Sequence, residues 1–314
     1  MTLDIDPKVD YAFKHLFGRD ATRAILIDLL NQVLQPPPGR HILEVELLNP
    51  FNPKETTDDK LSVLDVKARD QSGRQFNVEM QMILNAFFRN RVVYYLAKLH
   101  QQQLHEGQDY SALKPTVSIV FLNQVQHPHV ADNHLRFRLL EERHHFPYSG
   151  DLEVHVLELP KFRKTEAELA SGLDVWLYFL RYAEKIDLEQ LPAVFSSPLM
   201  IRAVTELKML SQTDLERERY EARRKGLLDY NTGMLAARME GKAEGKAEGK
   251  AEGKAEGKAE GLVIRNIDLI HLCERLLRRS ETPTEQLQSL PLDELTRLAD
   301  VLQSQVLNQS SGPA

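Results

Sequence analysis

The chain has 314 residues, with 40 Lys+Arg against 46 Asp+Glu for a net charge of −6, and 42% of its residues are hydrophobic. That apolar content supports a packed core and excludes a wholly disordered chain, and the length suits one catalytic-sized domain with an appendage, or two domains. The single cysteine, Cys273, excludes an intrachain disulfide framework and a cysteine-rich zinc site. The opening MTLDIDPKVD has no apolar leader and no run approaches the ~18 apolar residues of a membrane helix, which predicts a soluble, cytoplasmic protein that engages no membrane. A mildly acidic total lacks the basic excess of a protein that coats nucleic acid, yet leaves open a nucleic-acid enzyme whose charge is arranged locally. Residues 1–150 are nearly neutral, with 17 Lys+Arg and 18 Asp+Glu, so most of the excess lies beyond them.

In chain order, Val9, Phe13, Leu16 and Phe17 recur at helical spacing, with Gly18 placed as a stop. A second apolar-rich segment from about Ala21 to Leu34 ends at Pro36-Pro37-Pro38-Gly39. Residues 42–48 predict a strand. Residues 61–69 and 75–82 flank the turn-like Asp70-Gln71-Ser72-Gly73 and predict a hairpin. A helix over 87–105 follows, then strands over 116–122 and 152–159. Helices, a hairpin, a helix and further strands make a mixed α/β domain over 1–162. Residues 163–240 read as a helical extension punctuated by Pro192 and Pro198. Residues 241–261 carry GKAE five times over, from Gly241 to Glu260, and 262–314 form a small helical module with a disordered end.

The repeat reads as a spacer or a weak self-association stalk, which would make the protein a homo-oligomer. Ala, Lys and Glu favour helix, but each Gly costs about 1 kcal/mol relative to Ala. Period four also sets Lys beside Lys and Glu beside Glu. A marginal helix is expected, stiffened by packing on another copy.

The chemistry gathers in the hairpin. Alternation puts Gln75, Asn77, Glu79 and Gln81 on one face of their strand, and Val63, Asp65, Lys67 and Arg69 on one face of theirs. A five-residue loop sets Arg69 opposite Gln75, Lys67 opposite Asn77 and Asp65 opposite Glu79. Opposed carboxylates repel, and a divalent cation between them would relieve both the repulsion and the cost of burial. The alternative is an acidic outer face in water that binds nothing. A register shift of one residue would separate the pair altogether.

The segments DPKVDYAFKHLFG (6–18), DDKLSVLDVKARDQSGRQFNVEMQ (58–81), RNRVVYYLAKL (89–99) and LEVHVLELPKF (152–162) resemble the Rpn-type recombination-promoting nucleases and transposases of the PD-(D/E)XK nuclease superfamily. The resemblance spans roughly residues 4–240. It implies a restriction-endonuclease-like mixed sheet flanked by helices, followed here by the helical C-terminal region with its GKAE repeat. The superfamily pattern is an Asp on one core strand and Glu/Asp-x-Lys on the next. Asp65 fills the first place and Glu79 the second, while Gln81 stands where most of the superfamily has Lys, as the Rpn-type subgroup does.

The resemblance further implies Mg²⁺-dependent cleavage of DNA phosphodiester bonds that promotes recombination or mobile-element transfer. Asp65, Glu79 and the backbone carbonyl of Met80 would hold the metal, and other divalent cations of the same class would also fit. Gln81 would orient a water or a phosphate oxygen. Lys67 either contacts phosphate or neutralises Glu79. Asp10, four residues before Lys14, is either a supporting acid or half of a surface ion pair. Arg89 and Arg91 are candidate DNA contacts, as are the basic residues at 161–164 and 217–225. The rival reading is a catalytically inactive DNA-binding or assembly protein that retains the nuclease fold. His127, His129, His144 and His145 lack zinc-site spacing and read as loop or surface residues.

Overall fold

The apolar stripe of residues 9–17 forms helix α1 (Asp10–Phe17), which buries Phe13, Leu16 and Phe17 completely and ends at Gly18. Helix α2 (Arg23–Leu34) buries Ile25, Leu26, Leu29, Leu30 and Val33, and Gln35 closes it in the left-handed region at φ 46° before the prolines. The computed structural model describes residues 2–49, 51–52, 62–63 and 65–310. Leu61 and Leu64 of the expected strand, and the expected disordered end at 311–314, lie outside the described residues.

The strands are β1 (Val45–Leu48), β2 (Phe51–Asn52), β3 (Ser62–Val63), β4 (Val66–Asp70), β5 (Gln75–Gln81), β6 (Thr116–Leu122), β7 (His134–Arg138) and β8 (Leu152–Glu158). Six of them form one sheet in the order β1-β4-β5-β6-β8-β7, while β2 and β3 pair separately. The β5–β6 and β6–β8 pairs are parallel, the rest antiparallel. Helix α3 (Phe88–Gln101) provides the crossover between the parallel strands β5 and β6, as parallel pairing requires.

Both faces of the sheet are covered, so every residue of the central strand β6 is buried and its sequence is apolar or β-branched except at Ser118. On one face Phe88 and Val92 of α3 pack on Val120, Leu122 and Val156. On the other, Phe76, Val78 and Met80 meet α1 and α2, joined by α4 (Gly172–Tyr182) and α5 (Pro198–Gln212). Trp176 of α4 is fully buried, and its indole N–H donates to Asp28 of α2 at 2.7 Å. The core therefore draws on residues well beyond 162.

Strand β7 is an element absent from the sequence expectations. Its sequence, HLRFR, alternates polar and apolar residues, but three of its five positions are exposed because it is the sheet edge. Edge strands of this kind carry too little apolar signal to stand out from a loop.

The chain divides into two compact units, Met1–Asn231 and Thr232–Ala314. Helix α6 (Asp214–Leu276) begins in the first and ends in the second. Its opening turns are tied to the first unit. Tyr220 is buried there, its Oη accepting the Asp6 N–H at 2.8 Å, and Tyr11 Oη donates to Glu216 at 2.7 Å. In the second unit, Ile267, Ile270 and Cys273 of α6 pack with Leu287 of α7 (Thr284–Gln288) and Leu295, Ala299 and Leu302 of α8 (Leu292–Ser310).

The GKAE repeat lies wholly within α6, and all of its residues are exposed. A Cβ at Gly245, Gly249, Gly253 or Gly257 would meet nothing within 4 Å. No steric demand within the chain therefore selects glycine there. Replacing these four glycines with alanine should raise helicity and stabilise the helix by about 1 kcal/mol per site, read by circular dichroism through thermal melting. An unchanged or lowered helical signal would contradict this.

Candidate active site

The observed hairpin pairs Val66 with Val78, Lys67 with Asn77, Ala68 with Phe76 and Arg69 with Gln75. Continued by one residue, this register brings Asp65, at the bend that opens β4, beside Glu79 in β5. Val66 and Ala68 point into the core, which leaves Asp65 and Lys67 for the opposite face with Asn77 and Glu79.

Asp65 is fixed from two directions. Its Oδ2 accepts the Met80 N–H at 3.0 Å, and its Oδ1 lies 3.2 Å from the Lys14 ammonium of α1. Met80 therefore turns its peptide groups toward the hairpin edge, while the Gln81 carbonyl accepts from Asn123 on the β6 side. Burial raises the Asp65 pKa, against the opposing pull of Lys14 and the Met80 N–H. Glu79 is buried more deeply, and burial together with the Asp65 charge pushes its carboxyl up to about 7, opposed by Arg91, Asn77 and Lys14. Two adjoining acids that both hold protons more tightly than usual mark a place where negative charge is crowded and poorly solvated.

The other predicted residues divide. Asp10 joins the cluster: its carboxylate is 3.9 Å from Lys14 and contributes to raising the Asp65 pKa. Lys67 lies on the expected face but reaches away from the carboxylates, donating to Gln102 of α3 at 3.5 Å, and burial lowers its pKa. Gln81 is engaged at both ends: its amide donates to the Ile83 carbonyl and its oxygen accepts from Arg91. Arg91 stacks over Phe88, 5.0 Å from the ring centroid. Arg89 is exposed and lines a separate apolar cavity of about 210 Å³ with Val93 and Phe137.

Two cations thus bracket the carboxylates, Lys14 from α1 and Arg91 from α3. Sequence alone pairs Lys14 only with Asp10 and offers Arg91 only as a candidate DNA contact. Both sit at helical spacings that reveal a face but not what that face meets. A cleft of about 480 Å³ opens beside them, lined by Asp10, Met80, Gln81 and Arg91 on one side and by Arg223 and Tyr230 of α6 on the other. His144 and His145 are exposed in the turn after β7, and His127 lies in the loop before it. Among the described residues, no group of three or more His, Cys, Asp or Glu side chains is arranged to hold a metal, and no helix is long and apolar enough to cross a membrane.

The sequence family described as PD-(D/E)XK nuclease family transposase matches residues 7–237. Comparisons with curated proteins and with solved structures give no match. The matched region holds the whole six-stranded mixed sheet, its flanking helices, and both acids and both cations of the cluster. With its restriction-endonuclease-like fold, the chain belongs to the PD-(D/E)XK nuclease family transposases.

Proposed function

We propose that the protein is a Mg²⁺-dependent DNA endonuclease that hydrolyses phosphodiester bonds in the cytoplasm and serves recombination or mobile-element transfer. The observation that carries this reading is the juxtaposition of Asp65 and Glu79 at one hairpin edge, each with a raised pKa. The donor set suits a hard cation: two carboxylates and the Met80 carbonyl, with no thiolate or imidazole among them. The remaining coordination would fall to water, which Mg²⁺ retains readily. When bound, the metal would make a water more acidic and offset charge on the phosphate.

The chain's own groups do the rest. Lys14 holds Asp65 in place and limits its repulsion from Glu79. Arg91 supplies the fixed positive charge that Gln81, standing at the usual lysine position, cannot. Its guanidinium anchors the Gln81 oxygen and lies beside the cleft where a phosphate would develop charge. Gln81, clasped by Arg91 and Ile83, is held in one orientation and can direct a water or phosphate oxygen.

Two observations favour a second reading, a non-cleaving DNA-binding or assembly protein. Lys14 already compensates Asp65, and both ends of Gln81 are engaged. Incubation with supercoiled plasmid and Mg²⁺ separates the two readings. The nuclease should nick the plasmid, lose activity with a chelator and regain it with added Mg²⁺. Asp65→Ala and Glu79→Ala should each cut at least about 100-fold more slowly, the scale of losing one preorganised group in a charge-stabilising site. Binding without Mg²⁺-dependent nicking would establish the second reading, and full activity in both variants would refute the site.

Arg91→Ala should lower kcat more than it raises KM, and Arg91→Lys should restore part of the rate. Equal activity in all three proteins would remove Arg91 from the reaction.

The metal-free protein carries a pH signature. The Glu79 carboxyl titrates at about 7 when folded, against an ordinary value of 4.5, so the folded state binds its proton more tightly than the unfolded state. Between those values the group's contribution to stability declines as pH rises, by a few kcal/mol in all. Chemical denaturation of Glu79→Gln should lack this decline, while divalent-metal affinity of the wild-type protein should strengthen as pH rises through about 7. A parallel pH dependence of the two proteins would count against the assignment.

A further inference from the structure

The opening turns of α6 form one wall of the cleft whose other wall holds Gln81 and Arg91. Arg223, Gly226, Leu227 and Tyr230 recur at i, i+3, i+4 and i+7, the spacing of a single helix face. Three of them have a property that a wall residue of a nucleic-acid channel needs. Arg223 is exposed and forms no ion pair among the described residues, whereas its neighbours Arg219 and Arg224 are each paired with a glutamate. Tyr230 exposes 52% of its surface. Gly226 leaves open space, since a Cβ there would meet nothing within 4 Å. The wall is held firmly, because Tyr220 and Glu216, on the same helix just before it, are bonded to Asp6 and Tyr11.

We propose that this face is a single-strand clamp, in which Arg223 holds a backbone phosphate and Tyr230 stacks on a base of the strand leading to the scissile bond. Arg223 and Tyr230 are separated by seven residues, about 10.5 Å along the helix axis. Between them Gly226 provides room for the sugar-phosphate chain. The cleft has the volume of a small-ligand pocket, about 480 Å³. It would take one or two nucleotides of a single strand, far less than a turn of duplex. Stacking on an exposed ring beside an unpaired cation is how single strands are gripped without regard to sequence.

The clamp rests on the nuclease reading for its substrate, but binding tests it without cleavage. A fluorescent single-stranded oligonucleotide and its duplex would be titrated with the full chain in chelator, across a salt series. Tyr230→Ala should weaken single-strand binding about tenfold, and Tyr230→Trp should restore it. Arg223→Ala should reduce the slope of log affinity against log salt by about 0.7. Gly226→Leu, whose Cβ meets nothing within 4 Å, should weaken binding by filling the channel. Duplex affinity should change by less than twofold in each variant. The clamp is overturned if the wild-type chain does not bind the single strand, if the variants keep its affinity and salt slope, or if they lose single strand and duplex equally. Failure of the nuclease reading looks different: wild-type chain would bind, the variants would show these losses, and Mg²⁺ would produce no nicking.

Discussion

Two carboxylates held side by side at the edge of a buried hairpin impose a demand on everything around them. Like charges set side by side and largely shielded from solvent cannot both ionise freely. The surroundings answer with Lys14 from α1, Arg91 from α3 and the Met80 N–H from the neighbouring strand. The compensation is incomplete, since burial still holds both acids above their ordinary pKa. The negative charge that Lys14 and Arg91 leave uncompensated is the charge that the proposed metal would offset.

Rigidity makes this possible. Glu79 sits on β5 and Asp65 at the bend opening β4, strands whose inner face packs against α1, α2, α4 and α5, while α3 closes the other face of the sheet. Unpaired carboxylates on a mobile loop would move apart at little cost. On a paired hairpin with Phe76, Val78 and Ala68 fully buried, separation would disrupt the core. The two helices that bring the cations are the same helices that bury the sheet, so the electrostatics of the cluster and the packing of the core share their parts.

The C-terminal region follows a different physical rule. Its repeat is helical and exposed throughout, so its helicity rests on local propensity, and glycine lowers that at every fourth residue. Folding returns to side-chain burial only after the repeat, where Ile267, Ile270 and Cys273 find α7 and α8. The opening of α6 is again set by burial, through Tyr220.

Period-two and period-3.6 patterns are local, and so they are legible. Phe13, Leu16 and Phe17 define α1, the alternation of 75–81 defines both faces of β5, and a five-residue loop sets Arg69 against Gln75. Strand β7 was not legible, because an edge strand buries too little to pattern its residues. Nor was the contribution of α4 and α5 to the main core, since an amphipathic helix reveals that it packs but not on what. Local pattern suffices for the helices and core strands other than β7, for the hairpin register and for the two acids that this register brings together. Only the closed fold turns Lys14 to Asp65, brings Arg91 to Gln81 while Lys67 turns away, and sets Arg223 and Tyr230 on the same cleft. Those relations join residues far apart in the chain, and the energy that selects them, burial of one surface against another and of charge against charge, exists only once the chain has closed on itself.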